Sequence, residues 1–343
     1  MRLILTSLVA LGTIALTTGC ERKPKDETPA VTALASGQTA STGSQPITVD
    51  NALPQYSKVA GVTGNLSSMG SDSLNNLMAF WVESFCKEYP NVRIQVEGKG
   101  SGTAPPALIE GTAQLGPMSR DMTSGEIDQF EKKFGYKPTK IAVALDTLAV
   151  FVHRDNPINE LSLPQLDGIY SKTFTSGNRD VKTWGDVGVK GDLEARPISL
   201  YGRNSASGTY GYFKEIALFK GDYKDTVKEQ PGSSAVVQGV NSDRFGIGYS
   251  GIGYLTSGIK ALAISKEVNG QAYSATYANA LSGDYPLSRY LYIFVNRHPQ
   301  NGLSPVVKEF LTFVLSKEGQ EIVVKDGYLP LSAQMSSNEV KKL

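Results

Sequence analysis

From Gly61 onward, segments of strand character and segments of helix character follow one another almost to the C-terminus, and this alternation is the strongest constraint on the fold. Gly61 to Ser68 reads as a strand and turn. Ser71 to Tyr89 has helical spacing, with Leu74, Leu77, Met78, Trp81 and Phe85 on one stripe. Val92 to Val96 alternates as a strand does, and Pro105 to Gly111 suits a helix with proline in its first turn. Ile141 to His153 is a long β-branched, apolar run. A short strand at Ile198 to Tyr201 precedes a helix at Tyr210 to Phe219. Phe245 to Tyr254 is glycine-rich, Arg289 to Val295 is strand-like and Pro305 to Val314 helical. Such an order predicts an α/β protein with largely parallel sheets. No repeat of fixed period is visible.

The chain has 343 residues, which suits two domains of average size, and 40% of them are hydrophobic, enough for real cores. The formal net charge of +1 gives neither the basic footprint expected for nucleic acid nor a polybasic patch for anionic lipid. Any anion must be caught by local geometry. The N-terminus reads as a targeting segment, residues 1–19: Arg2 supplies a positive start and Leu3 to Leu16 is mainly apolar. That stretch is shorter than the roughly 20 residues a transmembrane helix needs. Small residues then run directly into Cys20, which resembles the bacterial lipobox and implies cleavage before Cys20 and lipid on its thiol. Residues 20–56, rich in Lys, Thr, Ser, Ala, Gly and Pro, are expected to be a flexible tether. With Cys20 acylated, Cys86 has no disulfide partner; on its helical stripe it reads as a half-buried apolar residue.

Catalytic signatures are few. Gly246, Gly248 and Gly251 satisfy G-x-G-x-x-G, but Ile252 to Gly258 does not open the helix that a dinucleotide needs. Ser84 and Lys87 fit S-x-x-K without its companion motifs. His153 and His298 are the only histidines and each is isolated, so no histidine-rich zinc site and little material for a Ser-His-acid triad are present. No cofactor and no metal are expected, and the poverty of catalytic groups favours a binding protein.

Small hydroxyl and glycine residues instead cluster just before helices. These clusters are Gly70-Ser71-Asp72-Ser73, Gly100-Ser101-Gly102-Thr103, and Arg203 through Thr209 with Ser205, Ser207 and Gly208. A helix N-terminus exposes unpaired N–H groups and positive dipole potential. Glycine admits close backbone approach, and hydroxyls add donors. Each cluster taken alone reads better as a set of N-caps. Several converging would cage an anion without a metal, with Arg203 as a bidentate fork.

These stretches resemble the phosphate-binding proteins of ABC importers, the PstS-type family, from about Gly64 to Ser332. Ala107 to Gly116, Met118-Ser119-Arg120 and Gly327-Tyr328-Leu329-Pro330-Leu331 carry the likeness further. The resemblance implies Ser71, Ser73, Ser101, Arg203, Ser207, Gly208 and Thr209 as phosphate contacts. It implies an α/β, two-lobed type II periplasmic-binding-protein fold with a hinge of crossing strands. Lobe 1 would take residues 57–145 and 289–343, and lobe 2 residues 146–288. Many relatives place an aspartate where this chain reads Leu115 to Arg120, so the acceptor for the phosphate proton must lie elsewhere. Asp72 is the leading candidate, its other role being a helix cap. Ser119 could donate or accept; Arg120 could bind ligand or pair with a carboxylate across the cleft. The expected function is extracytoplasmic capture of inorganic phosphate for an ABC permease and ATPase. A surface sensor or adhesion lipoprotein, a phosphatase, and a receptor for another oxyanion such as sulfate are the competing readings.

Overall fold

The computed structural model describes residues 47–343. The expected signal peptide, Cys20 and most of the expected tether lie outside the described residues. The end of that tether is corrected: Leu53 and Tyr56 tie it to the folded body. Leu53 is buried. The Tyr56 ring meets the edge of Phe313, and its hydroxyl lies 2.6 Å from both the Tyr89 hydroxyl and Glu309 Oε1, to which it donates. One aromatic anchor thus offsets the ordering of a segment whose composition alone predicts none.

Strand β1 (Gly64–Met69) pairs in parallel with β2 (Val92–Glu97), and helix α1 (Asn75–Glu88) connects them, burying Leu77, Met78, Trp81 and Phe85. Next come α2 (Ala104–Glu110), with proline in its first turn, and the short β3 (Gly116–Met118). Helix α3 (Ser124–Phe134) is opened by a capping box, in which Thr123 accepts from the Glu126 N–H and Glu126 accepts from the Thr123 N–H. Strand β4 (Thr139–His153) has twelve consecutive buried residues, 141–152, and runs from one core into another.

The middle of the chain builds β5 (Glu160–Ser162), α4 (Leu163–Tyr170), β6 (Ser199–Arg203) and α5 (Gly208–Ile216). It continues with β7 (Lys228–Gln230), α6 (Ser233–Ser242), β8 (Gly246–Gly251) and β9 (Ile259–Ala261). Short β10 (Ala263–Ser265), β11 (Ala272–Tyr273) and α7 (Tyr277–Leu281) precede β12 (Ser288–Val295). The chain closes with α8 (Pro305–Val314), α9 (Lys317–Lys325) and α10 (Ala333–Val340).

The main sheet runs β3-β12-β4-β8-β6-β7, with β9 also on β4. Here the expectation of largely parallel sheets is corrected. β3, β12, β4, β8 and β9 pair antiparallel; β8-β6, β6-β7, β1-β2 and β5-β10 pair parallel. The antiparallel pairings gather where β4 and β12 cross between cores, so the chain leaves and returns side by side rather than winding in one direction. Leu291 faces Ala144 and Tyr292 faces Ala142, which leaves Val143 as a bulge that bends this crossing. The first core draws on residues 62–145 and 291–343 with Ala280; the second draws on residues 148–287. The contributions change over between Leu145 and Leu148 on β4, and between Leu287 and Leu291 around β12.

The glycine-rich Gly246 to Gly251 is β8 itself, buried throughout and followed by a short 3-10 turn, not a helix. It therefore has no cradle for a pyrophosphate. Cys86 is half-buried; its Sγ lies 3.5 Å from the Val92 carbonyl, and burial pushes its thiol pKa up.

Candidate anion-binding site

The three hydroxyl-rich loops follow the C-terminal ends of β1, β2 and β6, and Ser119 follows β3. Ligands of open α/β sheets are bound at that end of the strands. Loops from both cores meet directly. Gly102 donates its N–H to the Ala206 carbonyl at 2.9 Å. Ser73 Oγ lies 2.9 Å from Thr209 Oγ1. Gly100 has φ +109, and a Cβ there would come within 2.6 Å of the Ala206 carbonyl oxygen, so both its conformation and its contact require glycine.

Four serines from the first body form the wall. Ser71 Oγ donates to Ser119 Oγ at 2.9 Å, and Ser101 Oγ lies 3.3 Å from Ser119 Oγ and accepts the Ser119 N–H at 3.0 Å. Ser71, Ser73, Ser101 and Ser119 are all buried. The Ser73 carbonyl is held by the Tyr328 hydroxyl at 2.6 Å, which gives the Gly327 to Leu331 stretch its part in the arrangement. Opposite the wall stands the first turn of α5. Ser207 caps it, accepting from the N–H groups of Thr209 and Tyr210 at 3.2 and 3.4 Å. Its own hydroxyl proton stays free to donate. A Cβ on Gly208 would run into Ser101 Oγ and reach 2.6 Å from Ser119 Oγ, so only glycine lets the helix end approach the serines this closely.

Arg203 ends β6 and is 2% exposed. Its Nη1 donates to Ser233 Oγ at 3.0 Å and pairs with Asp72 Oδ2 at 3.1 Å; its Nη2 donates to the Pro231 carbonyl at 3.3 Å. Nε is buried without a partner among the described residues. Burial pulls the guanidinium pKa down from its usual value, and Asp72 opposes that pull. Asp72 does not cap its own helix. Its Oδ2 accepts the N–H and hydroxyl of Ser233, at 2.9 and 3.0 Å, at the start of α6 on the other body. Its side chain is thus a strap across the cleft as well as a counter-ion.

For Arg120 the expected pairing with a carboxylate across the cleft is corrected. Both its terminal nitrogens donate to Glu126 at 2.7 Å, within the same body and not across the cleft. Burial alone would raise the Glu126 pKa, but Arg120 and the Thr123 N–H outweigh it and hold the carboxyl low. The Arg120 stem instead lies against Gly211 of α5, whose Cβ position is 3.2 Å from Arg120 Cδ. Residue reading missed Ser233, Asp146 and Arg289. Asp146 carried a usable signal: it is a carboxylate inside an apolar strand run, and buried charge must be paired. Among the described residues no group of three or more His, Cys, Asp or Glu could hold a metal ion.

A two-bodied α/β chain with crossing strands, and helix ends, hydroxyls and buried arginine meeting between the bodies, defines a substrate-binding protein for a small oxyanion. The family model for the PBP superfamily domain matches residues 8–318. The phosphate-binding protein PstS of Pseudomonas aeruginosa is 55% identical over 296 residues, covering 86% of this chain and 92% of that protein. PstS of Staphylococcus epidermidis is 29% identical, covering 75% and 76%. A solved Clostridium perfringens structure superposes with a TM-score of 0.66 at 27% identity, covering 78% of this chain and all of that one. It is provisionally described as a phosphate ABC transporter substrate-binding protein with bound phosphate. A phosphate transport receptor of Vibrio cholerae shares the fold, with a TM-score of 0.61 at 24% identity. The chain belongs to the PBP superfamily and, within it, to the PstS family of phosphate-binding proteins, which has the two-lobed type II fold and is non-enzymatic.

Proposed function

We propose that this chain captures inorganic phosphate outside the cytoplasm and delivers it to an ABC permease and its ATPase. One observation carries the reading: the buried Arg203 and the first turn of α5 close onto Ser71, Ser73, Ser101 and Ser119. The ligand contacts are Ser71, Ser73, Ser101, Ser119, Arg203, Ser207, Gly208 and Thr209. Residues 57–145 and 289–343 act as lobe 1 and residues 146–288 as lobe 2, and anion contacts from both favour closure. Calorimetric titration with phosphate and with sulfate is the decisive experiment. Tight phosphate binding with much weaker sulfate binding is expected, and preference for sulfate would overturn the reading.

The delivery end rests on Cys20. Lipid on its thiol anchors the protein, and the segment between Cys20 and Ile47 gives it reach. Cys20→Ala is expected to move the protein from the membrane fraction to the soluble fraction. Retention in the membrane pellet would remove the anchor.

A further inference from the structure

A charged pair lies beside the serine wall, outside the set of proposed contacts. Asp146 of β4 and Arg289 of β12 are register partners on adjacent strands, at the point where the chain passes between cores. Both are buried. Arg289 Nε and Nη2 donate to Asp146 Oδ2 at 2.9 and 2.7 Å. The remaining donors reach both sides of the cleft. Nη1 donates to the Ser119 carbonyl at 2.8 Å, and Nη2 to Thr209 Oγ1 at 3.1 Å. The Tyr212 ring of α5 lies against the guanidinium, its centroid 5.3 Å from Cζ. One side chain therefore touches both crossing strands, the serine wall and the end of α5.

The contact with Thr209 biases its hydroxyl toward donating. A threonine hydroxyl has one donor and two acceptor sites, and a guanidinium only donates. Arg289 fills one of the two acceptor sites of Thr209 Oγ1, which leaves the O–H and a single acceptor site for the cleft; there Ser73 Oγ lies 2.9 Å away, and either hydroxyl can donate to the other. An oxyanion offers mainly acceptors, so a threonine biased toward donating binds it with less reorientation. A pair serving stability alone has a weak rationale here, because burying two charges costs about as much as their attraction returns.

We infer that Arg289, oriented by Asp146, is a positioning residue for anion capture: it biases Thr209 toward donating and ties the site segments of both lobes to the hinge. The inference rests on the proposed phosphate binding. The test is a mutant cycle on the full chain, with phosphate affinity read by calorimetry. The paired change Arg289→Gln with Asp146→Asn leaves no unpaired buried charge, and Thr209→Val keeps the shape of the side chain. Each is expected to weaken binding about tenfold or more, the worth of one hydrogen bond to a charged group. Combining them should add little, within about threefold, because both remove the same donor. Losses that multiply, or unchanged affinity in the paired variant, would overturn the inference. If the paired variant does not fold, Arg289→Lys serves instead: it keeps the charge but not the planar fork. Affinity of that variant equal to the unaltered chain overturns the inference, and a drop of about tenfold supports it. Failure of the unaltered chain to bind phosphate would remove the proposed function and this inference together, whereas binding with multiplying losses removes the inference alone.

Discussion

In the proposed site, Ser71, Ser73, Ser101 and Ser119 come from lobe 1 and are neutral, whereas lobe 2 supplies Arg203 and the first turn of α5; the other buried guanidinium beside the site, Arg289, is paired with Asp146. The two halves differ in what they do for an anion. Neutral hydroxyls give direction and number of hydrogen bonds. A buried guanidinium and a helix end give the electrostatic pull, strengthened where water is excluded. In that proposal neither half alone completes the coordination, so affinity is bound up with closure. The close approach at Gly208 is the joint where they meet.

If lobe 2 supplies the pull, Arg203→Ala should have the largest effect of any single change at the site. Removing one partner of a buried, hydrogen-bonded charge pair costs about 2–5 kcal/mol at an interface. Phosphate binding should then weaken roughly 30-fold or more. Calorimetry, with circular dichroism to check the fold, reads it out. Unchanged affinity would place the pull elsewhere and break the division of labour between the lobes.

A hydroxyl from lobe 1 should matter less. Ser101→Ala removes a single donor and leaves the Ser119 N–H without its acceptor. The expected loss is about tenfold, in line with one charge-assisted hydrogen bond. Sulfate affinity should fall in proportion, since both anions accept from a hydroxyl. A loss as large as that from Arg203→Ala would show that the serine wall carries the energy.

The site loops were legible because their signal is local. Glycine, serine and threonine standing before an apolar helical stripe mark backbone N–H groups and close approach within a few residues. What reading the residues could not supply was the pairing over long separations. Asp72 meets Ser233 161 residues away, and Tyr56 meets Glu309 253 residues away. A period of two or 3.6 says nothing of either. Sheet direction was misread for the same reason. Alternating strands and helices describe the chain within each lobe, but the crossing strands β4 and β12 obey the hinge. The capping box at Thr123 and Glu126 was a readable signal left unused, and with it the partner of Arg120.

The smallest effect is expected at Asp72, where two consequences oppose each other. Asp72→Asn removes a negative charge beside Arg203, which raises the positive potential felt by an anion. The same change weakens the strap to Ser233, because a neutral amide oxygen accepts less strongly than a carboxylate. Closure is then less favoured. Each contribution is of the order of one charge-assisted bond, so the net change in phosphate affinity should stay within about threefold. The phosphate-to-sulfate ratio decides what kind of residue Asp72 is. As strap and counter-ion, with its Oδ2 already taken by Ser233 and Arg203, it acts on both anions alike, and the ratio should hold. As the acceptor of the phosphate proton it would repel sulfate, which lacks that proton. Titrating the variant with both anions separates the two roles. A ratio narrowed tenfold would make Asp72 the selectivity device and move a lobe 1 carboxylate into the ligand shell.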